Sequence, residues 1–522
     1  MTRSLRVQTG NPLFDGFPDR VEAFLEKDRV DLVVDGRRVH GYRSPDDPGL
    51  WIRDHSDILR GARYFDRELK SAVEFFARHR LPTGAVLDFV SPADGRENWD
   101  RFVRVPVEAD VEFRLVKALY LAWQACGDDE WAGGLLPAAE EALAYTMSHP
   151  WRWDPERRLV KRALTIDTWD FTIPPPGRDW LHFRIDENTR WGIFHGDNTG
   201  LFEACRLLGR MWRALGEEKR AARWEEEAAG LKERTHRVCW NGRFYSHWTP
   251  IDGFRPEGVD TEAQLSLSNP MAINRGASGP ARARTILAEY RRRETKSRAF
   301  AGWFSLDPPF PGGFFGEEKL LPGAYVNGGI LPLVGGELAR AAFEHGMEEY
   351  GLSILKQYEE MIRATGETYL WYFPDGRPGR EENSTSPEAT ATDGWGSSAM
   401  LWAFVEGLCG VADENKLFQG LRLSPRWAAA GVEEARVEAA YAASGARVSY
   451  TFAWDKRRRR MDLEVESPAG GRLRFLLPRG EEPARAFLEN KEVPFTREEA
   501  GPSTYAALVL PGEGKIRAAL EY

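Results

Sequence analysis

Hydrophobic positions recur with helical spacing along most of the chain between about residue 60 and residue 411. Apolar side chains at i, i+3 and i+4 are typical of helices that bury one face. Several of these segments end at a glycine, which readily adopts the left-handed conformation found just after helices. The spacing predicts helices at Tyr64–His79, Val107–Cys126, Leu136–Met147, Thr199–Leu215, Lys219–Val238, Ala281–Arg292, Leu331–His345, Leu352–Thr365 and Gly396–Leu408.

The pattern changes after about Glu414, where short segments alternate or are rich in β-branched residues. Glycine and proline turns such as Pro468-Ala-Gly-Gly471 separate them. Regularly spaced short strands predict a β-sandwich. Near the other end of the chain, Asp31–Gly36 and Val39 predict a small hairpin. The predicted strands of the sandwich are 420–425, Ala435–Tyr441, Ala446–Ala453, Met461–Glu466, Arg472–Leu477 and Tyr505–Leu510.

Three long loops connect the predicted helices, at about Trp151–Asn198, Gly302–Gly329 and Glu367–Gly394. Loops of this length in a compact domain are usually functional or disordered, and the aromatic content of these loops argues against disorder. The chain contains 19 Trp, 15 Tyr and 28 Phe. Aromatic faces stack on pyranose rings while neighbouring carboxylates bind the hydroxyls, so the loops favour a sugar ligand. The alternative interpretation is that these tryptophans are simply large residues of the hydrophobic core.

Composition excludes several classes of protein. The chain has 522 residues, 29% of them charged, and a formal net charge of -9, which disfavours binding to nucleic acid or to anionic membranes. No apolar stretch approaches the roughly 18 residues of a membrane span. The first residues lack the apolar core of a secretory signal, so a cytoplasmic location is expected. The widely spaced cysteines predict reduced core residues, and no cofactor or metal is expected; they are Cys126, Cys205, Cys239 and Cys409.

Glycoside hydrolysis needs one protonated and one ionised carboxyl group. The segment Asp167-Thr-Trp169-Asp170 places two carboxylates beside an indole. An apolar wall raises the pKa of a neighbouring carboxylic acid, as a general acid requires. A helix cap is the alternative interpretation of this tetrapeptide.

Two further segments carry suitable charges. Trp51-Ile-Arg53-Asp54 offers a cation and a carboxylate that together can grip adjacent sugar hydroxyls, or can form a structural ion pair. Glu367 follows a predicted helix and opens an aromatic loop, which suits a base that holds a water molecule. Competing glutamates lie in the same loop: Glu381, Glu382 and Glu388.

In this order the motifs resemble those of the six-hairpin glycosidases. Trp51-Ile-Arg-Asp54 resembles the Trp-Xaa-Arg-Asp motif of glucoamylases, in which Arg and Asp hold the sugar. Asp167-Thr-Trp-Asp170 is similar to the acid motifs of glucoamylase, trehalase and the family of processing α-glucosidase I and mannosylglycerate hydrolase. Because the acid in those motifs follows the tryptophan, the resemblance implies that Asp170 is the general acid, with Asp167 as the local alternative.

Later motifs extend the resemblance to about residues 50–430. Glu367-Thr-Tyr and Asp393-Gly-Trp395-Gly resemble the base and a later helix start of trehalases, so Glu367 is the expected base and Glu382 the alternative. Tyr325-Val-Asn327-Gly-Gly is similar to a segment of disaccharide phosphorylases with the same barrel.

The resemblance implies a mainly α fold: an (α/α)6 toroid at 49–413, preceded by an extension at 1–48 with a short hairpin and followed by a C-terminal β-sandwich at 414–522. It implies an inverting hydrolase of a small, α-linked glucoside or mannoside, with the two carboxyl groups roughly 6.5–9.5 Å apart. Asp197 and Asn327 are candidates for hydroxyl contacts. The expected aromatic walls are Trp51, Trp169, Trp191, Trp303, Tyr325 and Trp395.

Other functions on the same barrel remain open. An inverting disaccharide phosphorylase needs a phosphate site, for which His182, Arg184, Arg190 and His195 are candidates. A sugar epimerase needs histidine acid–base chemistry, and a non-catalytic sugar-binding protein needs only the aromatic walls. Which sugar, linkage and aglycone are recognised, and in what oligomeric state, is not specified by these patterns.

Overall fold

The computed structural model describes residues 4–43, 49–92, 99–102, 109–167, 185–314, 320–379 and 391–522. Helices and strands are numbered in chain order. Twelve of the described helices form two concentric layers. The inner layer consists of α3 (Ile52–Ala62), α5 (Val111–Cys126), α7 (His195–Ala214), α9 (Ser268–Asn274), α11 (Pro332–Glu344) and α13 (Gly394–Trp402). The outer layer consists of α2 (Phe17–Lys27), α4 (Ser71–Arg78), α6 (Asp129–Thr146), α8 (Glu218–Cys239), α10 (Pro280–Glu294) and α12 (Glu348–Thr365).

The inner helices form a closed ring, because each packs against the next and α13 packs against α3. Each outer helix connects to its inner neighbour through a hairpin, except α2, which comes from the start of the chain and packs against α13. The protein is therefore an (α/α)6 barrel, as the resemblance implied. The segment at 1–48, expected to be an extension, supplies the sixth outer helix. A short helix α1 (Pro12–Asp15) precedes α2, and a π-helical turn at Ala403–Leu408 follows α13.

Three barrel helices, α2, α3 and α9, were not predicted from the spacing of hydrophobic residues, and for each there is a physical reason. In α3, the charged residues Arg53, Asp57 and Arg60 are buried in the centre of the barrel, so polarity does not mark an exposed face of this short helix. The helix α9 has only seven residues, fewer than a periodic pattern needs. The pattern of α2 is short and follows a glycine. Among the described residues, no helix combines the length and apolarity required to cross a membrane.

The C-terminal domain is a β-sandwich of two sheets. One sheet has the order β1-β16-β17-β18-β24-β20-β21, so β1, from the start of the chain, pairs at its edge. Its strands are β1 (Leu5–Gln8), β16 (Glu434–Ala440), β17 (Arg447–Asp455), β18 (Arg460–Ser467), β20 (Arg485–Leu488), β21 (Lys491–Val493) and β24 (Gly514–Glu521). The other has the order β14-β15-β19-β23-β22, with β14 (Val411–Asp413), β15 (Leu421–Leu423), β19 (Gly471–Leu476), β22 (Thr496–Ala500) and β23 (Ser503–Leu510).

The sandwich contacts the barrel where α11 ends and α12 begins. Arg426 is fully buried and donates from Nη2 to Glu344 (3.0 Å) and from Nε to the hydroxyl of Tyr505 (3.2 Å). That hydroxyl donates to Glu348 (2.7 Å). Between the two helices, Gly346 has a φ of +77°, and a Cβ there would collide with the carbonyl oxygen of Ala500. The sandwich therefore covers the barrel end at which the inner helices terminate.

Short strands line the other end, where the inner helices begin. The hairpin of β2 (Arg29–Val34) and β3 (Arg37–Tyr42) packs near α3 and α4. The strand β4 runs directly into α3, and β10 runs directly into α7. The remaining strands are β4 (Leu50–Trp51), β5 (Phe89–Pro92), β6 (Trp99–Phe102), β7 (Trp153–Asp154), β8 (Leu159–Val160), β9 (Arg162–Ala163), β10 (Trp191–Phe194), β11 (Trp248–Pro250), β12 (Leu265–Ser266) and β13 (Leu306–Asp307).

Candidate active site

The junction of β4 and α3 contributes a tryptophan, an arginine and an aspartate. Trp51 stacks on Phe89 with ring centroids 4.0 Å apart, and the guanidinium of Arg43 lies 5.2 Å from the Trp51 ring. Arg43 also donates to Asp54 (2.6 Å). Arg53 instead turns to the neighbouring inner helix and donates to Asp110 (2.7 Å). The predicted cation and carboxylate are thus both at the beginning of α3, and each pairs with a residue outside the motif.

A chain of buried ion pairs continues from Asp110 across the barrel axis. Arg114 donates to Asp110 (3.0 Å) and to Asp57 (2.9 Å). Asp57 also accepts from Nζ of Lys117 and from the indole of Trp395 (2.6 Å). Burial disfavours the ionised form of Asp57, but Arg114, Lys117 and Arg60 hold its pKa well below the ordinary value. We therefore infer that the ion pairs of Asp57 and Asp110 form a charged layer below the first turns of α3, α5 and α13.

Asp197, in the first turn of α7, is a buried carboxyl group of a different kind. Its Oδ1 lies 3.4 Å from Nη1 of Arg162, and its Oδ2 has no hydrogen-bond partner among the described residues. Burial raises the pKa of Asp197 to about 6, against the attraction of Arg162. Repulsion from Asp110 and Asp167 acts in the same direction as burial. This group can donate a proton near neutral pH.

Asp167 is held between α7 and α9. Its Oδ1 accepts from the hydroxyl of Ser268 (3.0 Å), and its backbone N–H donates to Nε2 of His247 (3.0 Å). A Cβ on Gly196 would lie 2.3 Å from the Ser268 hydroxyl oxygen, so this approach of the two helices requires glycine. Burial opposes ionisation of Asp167, yet its polar surroundings lower its pKa below the ordinary value. Asp167 is therefore a fixed, ionised carboxylate.

Glu367 lies on the outer side of the same barrel end. It follows Gly366, which closes α12 with a φ of +68°. Its Oε1 accepts from the backbone N–H of Thr368 (2.8 Å), and its Oε2 lies 3.6 Å from Nζ of Lys27. The side chain is 22% exposed, so water reaches it.

The other predicted site residues differ in their surroundings. Trp191 is partly buried in β10, with Nζ of Lys161 4.9 Å from its ring centroid. Trp303 is 0% exposed and forms part of the core. Asn327 is also fully buried and bonds the backbone of Phe310 and Leu320, which is a structural arrangement. Tyr325, partly buried, has a φ of +44°. Seven of the residues proposed from the sequence lie outside the described residues: Trp169, Asp170, His182, Arg184, Glu381, Glu382 and Glu388.

Several charged residues of this barrel end were not among the predicted site residues, although Asp393 belongs to the motif at the start of α13. Asp393 caps α13 by accepting from the backbone N–H groups of Trp395 (3.0 Å) and Gly396 (2.8 Å), and burial raises its pKa to about 6. Asp28, after α2, is fully buried; burial raises its pKa well above the ordinary value, and repulsion from Asp393 contributes. An Asp before Gly-Trp signals a helix cap, and Asp110 with Arg114 has the i, i+4 spacing of a helical pair. The sequence has no comparable signal for Asp28.

The described residues thus bring together two types of carboxyl group at the beginnings of the inner helices. Asp57, Asp110 and Asp167 favour the ionised form, whereas Asp197 and Asp393 keep a proton to about pH 6. This combination allows acid–base chemistry on a polar ligand. No group of three or more His, Cys, Asp or Glu among the described residues is arranged to hold a metal ion.

The raised pKa of Asp197 predicts a pH-dependent cost in stability. Its carboxyl keeps a proton to about pH 6 in the folded protein and loses it near 3.8 when unfolded. Folding therefore loses stability as the pH rises from about 4 to 6, by up to about 3 kcal/mol. Asp197→Asn is expected to unfold at a higher temperature than the wild type at pH 8, with the advantage shrinking towards pH 4. Thermal unfolding at several pH values measures this; a pH-independent difference would contradict the buried, raised pKa.

Comparisons with known proteins identify the fold. No protein-family model matches the chain. No curated protein matches it in sequence either. Several solved structures match the chain in fold. An α-L-rhamnosidase of Dictyoglumus thermophilum has a TM-score of 0.63 at 10% identity, covering 100% of this chain and 50% of that one. A GH78 family rhamnosidase of Bacillus sp. GL1 has a TM-score of 0.60 at 16% identity, covering 92% of this chain and 43% of that one.

A third similar structure is the GH63 mannosylglycerate hydrolase of Thermus thermophilus, with a TM-score of 0.53 at 15% identity, covering 74% of this chain and 99% of that one. The chain spans half or less of the length of the two rhamnosidases. These similarities confirm that the chain has the fold of the (α/α)6-barrel glycosidases, which its motifs resemble.

Proposed function

We propose that this protein is a glycoside hydrolase that cleaves a small, α-linked glucoside or mannoside with inversion of configuration. One observation carries the proposal: ionised and protonatable carboxyl groups are buried together where the inner helices begin. The glycosidase names of the structural neighbours support the reaction class. The substrate of the mannosylglycerate hydrolase also fits a small glycoside, whereas the rhamnosidases leave the choice of sugar open.

Asp170 is the proposed general acid. It follows the fixed carboxylate Asp167 by three residues, which span at most about 11 Å of extended chain. The segment that carries Asp170 leaves the described structure at Asp167 and returns before Trp191, and both of these residues lie at the end where α7 begins. The short stretch of chain from Asp167 therefore favours Asp170 as an acid that acts beside these buried carboxyl groups. Asp167 itself suits the acid role less well because its pKa is lowered.

The proposed base is Glu367, with Glu382 as the alternative. Glu367 reaches solvent, where a base can hold a water molecule, and its Oε2 lies 3.6 Å from Nζ of Lys27. The segment with Glu382 leaves the described structure after Gly379 and returns at Ala391, two residues before the cap of α13. Both glutamates are thus connected to the same barrel end.

The reaction follows from these roles. Asp170 donates its proton to the glycosidic oxygen, the bond from that oxygen to the anomeric carbon breaks, and the aglycone leaves as an alcohol. The base removes a proton from a water molecule as the water oxygen bonds to the anomeric carbon from the opposite face. Arg53 and Asp54 at the start of α3 bind the sugar hydroxyls, and Trp51 and Trp395 border the ring. A second proton exchange with solvent restores both carboxyl groups.

The phosphorylase alternative receives no support from the described residues. His195 is fully buried, and its Nδ1 bonds the carbonyl oxygen of Ser246 (3.0 Å), so this nitrogen is not available to phosphate. Arg190 lies with its guanidinium 4.8 Å from the ring of Phe254.

Turnover of a panel of small α-glucosides, α-mannosides and α-rhamnosides, with and without phosphate, tests the proposed function. NMR of the first product formed gives its anomeric configuration. Hydrolysis without phosphate, releasing the β-anomer of a glucose or mannose substrate, is expected. Strict dependence on phosphate would establish the phosphorylase instead. A retained configuration would overturn the inverting mechanism, and absence of turnover across the panel would leave a sugar-binding protein.

The two candidate bases can be separated by substitution. Water attack needs the base whatever the leaving group, so Glu367→Gln is expected to lower kcat about 10²–10⁴-fold for alkyl and nitrophenyl glycosides alike. Glu360→Gln, at an exposed position on α12, is the matched control and should keep full activity. If Glu382→Gln shows the loss and Glu367→Gln does not, the base is Glu382.

A further inference from the structure

A second cavity lies inside the barrel, at the end opposite the proposed active site. Its volume is about 150 Å³, room for about five water molecules. All six inner helices line it with residues from their middle and later turns, and the sandwich strand β14 contributes Asp413. Representative lining residues are Arg60, Lys117, Glu203, Met271, Glu337 and Trp402. We call this space the lower cavity.

Positive charge predominates in the lower cavity. Its lining contains six Arg or Lys side chains and four carboxyl groups. One of the four, Asp413, accepts hydrogen bonds from the backbone N–H groups of Asn415 and Phe418, and burial raises its pKa. The cationic side chains of the lining therefore outnumber its carboxyl groups by two.

The carboxylates that pair with these side chains neutralise only part of the positive charge. Arg63 and Arg340 share the single carboxylate of Glu406. Arg210, which lines the cavity beside Tyr120, forms an ion pair with no described carboxylate within 4 Å. Lys117 pairs with Asp57, above the cavity, and burial lowers its pKa, with repulsion from Arg60 contributing. An added anion would reduce this repulsion.

Two buried guanidinium groups of the lining also retain unused donors. Nη2 of Arg60 has no hydrogen-bond acceptor among the described residues and lies 3.7 Å from Asp57, and Nε of Arg63 likewise has no acceptor there. Both side chains are only 3% exposed. Buried donors without acceptors are rare, because each costs about 1–3 kcal/mol. Their presence on the wall of a polar cavity indicates a ligand that accepts hydrogen bonds.

We propose that the lower cavity is a binding site for a small tetrahedral oxyanion such as phosphate. Arginine donors come from several inner helices around the barrel axis: Arg60, Arg63, Arg210, Arg275 and Arg340. Donors arranged around a space match the acceptors of a tetrahedral anion, which point in all directions, better than those of a planar carboxylate. The site is separate from the proposed active site, since the ion pairs of Asp57 lie between the two.

Titration of the full-length protein with inorganic phosphate tests this site. Saturable binding of one phosphate per chain is expected by calorimetry, with an unfolding temperature that keeps rising with phosphate at constant ionic strength. Acetate should bind more weakly. No saturable effect beyond that of sodium chloride would overturn the proposal.

Substitution locates the bound anion. Arg210→Gln removes a partly buried cation and is expected to weaken phosphate binding about tenfold or more. Arg213→Gln, one turn along α7 and paired with Glu225, is the matched control and should bind phosphate normally. Both variants should keep the activity towards glycosides, whichever reaction the active site performs. Equal binding by the two variants would contradict the proposed location.

Crystals soaked in selenate provide a readout that does not depend on variants. The anomalous signal of selenium is expected within the lower cavity. A signal found only at the barrel end where the helices begin would assign the anion to the active site, and signals confined to the surface would indicate adventitious ions only; both results would overturn the proposal.

Discussion

Replacement of Asp170 by asparagine is expected to lower kcat for an alkyl glycoside about 10²–10⁴-fold, the usual contribution of a general acid. Asparagine keeps the shape of the side chain and removes the proton that the departing alcohol needs. A nitrophenyl glycoside releases a stable phenolate, so its turnover should fall far less. The ratio of the two losses separates this role from that of the base, which affects both substrates alike.

Steady-state kinetics of Asp170→Asn and Asp167→Asn on both substrates make this measurement. Asp186→Asn is the matched control, since Asp186 is exposed in the same connection between β9 and β10. Near-normal kcat in Asp170→Asn would remove Asp170 from the mechanism. A leaving-group-dependent loss in Asp167→Asn alone would transfer the acid role to Asp167.

The second large effect is expected on stability. Asp57→Ala should lower the free energy of unfolding by at least about 3–5 kcal/mol, the cost of breaking a buried ion pair from one side. Asp57 accepts from Arg114, Lys117 and the indole of Trp395. Its removal leaves three buried cations, Arg60, Arg114 and Lys117, without this carboxylate and opens a cavity at the barrel axis.

Urea unfolding at neutral pH measures the loss. Asp375→Ala, which breaks an ion pair with Arg377 at an exposed turn, serves as the control and should leave the midpoint unchanged. If Asp57→Ala unfolds at the wild-type urea concentration, the buried network contributes nothing to stability. Asp57→Asn, which keeps an acceptor for Trp395, should be less destabilised than alanine.

The two layers of the barrel could be predicted to different extents. The predicted helices at Leu331–His345 and Leu352–Thr365 correspond to α11 and α12, because their apolar faces pack against neighbouring helices. The strands of the sandwich were predictable for the same reason, since β16 and β17 alternate buried and exposed positions. Helix α3 was not, because its buried residues include charges that pair only across the barrel.

The resemblance to a family predicted the residues of the candidate site, and the structure places those that it describes at one end of the barrel. Trp51, Arg53, Asp54, Asp167, Asp197 and Trp395 all lie at the barrel end where the inner helices begin. The motifs could be recognised in the sequence, but the residues that pair with them in the folded protein could not. The pairing of Arg53 with Asp110, 57 residues away, required the ring to close. Whether Asp170, Glu367 and Glu382 perform the chemistry stays a prediction for the kinetic tests.

Periodicity and composition are local properties of the chain, so the sequence was enough to predict the helical barrel region, the β-rich tail and the order of the aromatic and acidic motifs. Which carboxyl groups keep a proton depends instead on tertiary contacts. Asp167 and Asp197 are both buried aspartates, yet the pKa of one is lowered and that of the other is raised to about 6. The difference comes from burial weighed against cations and donors on other helices, and these come together only when the ring closes.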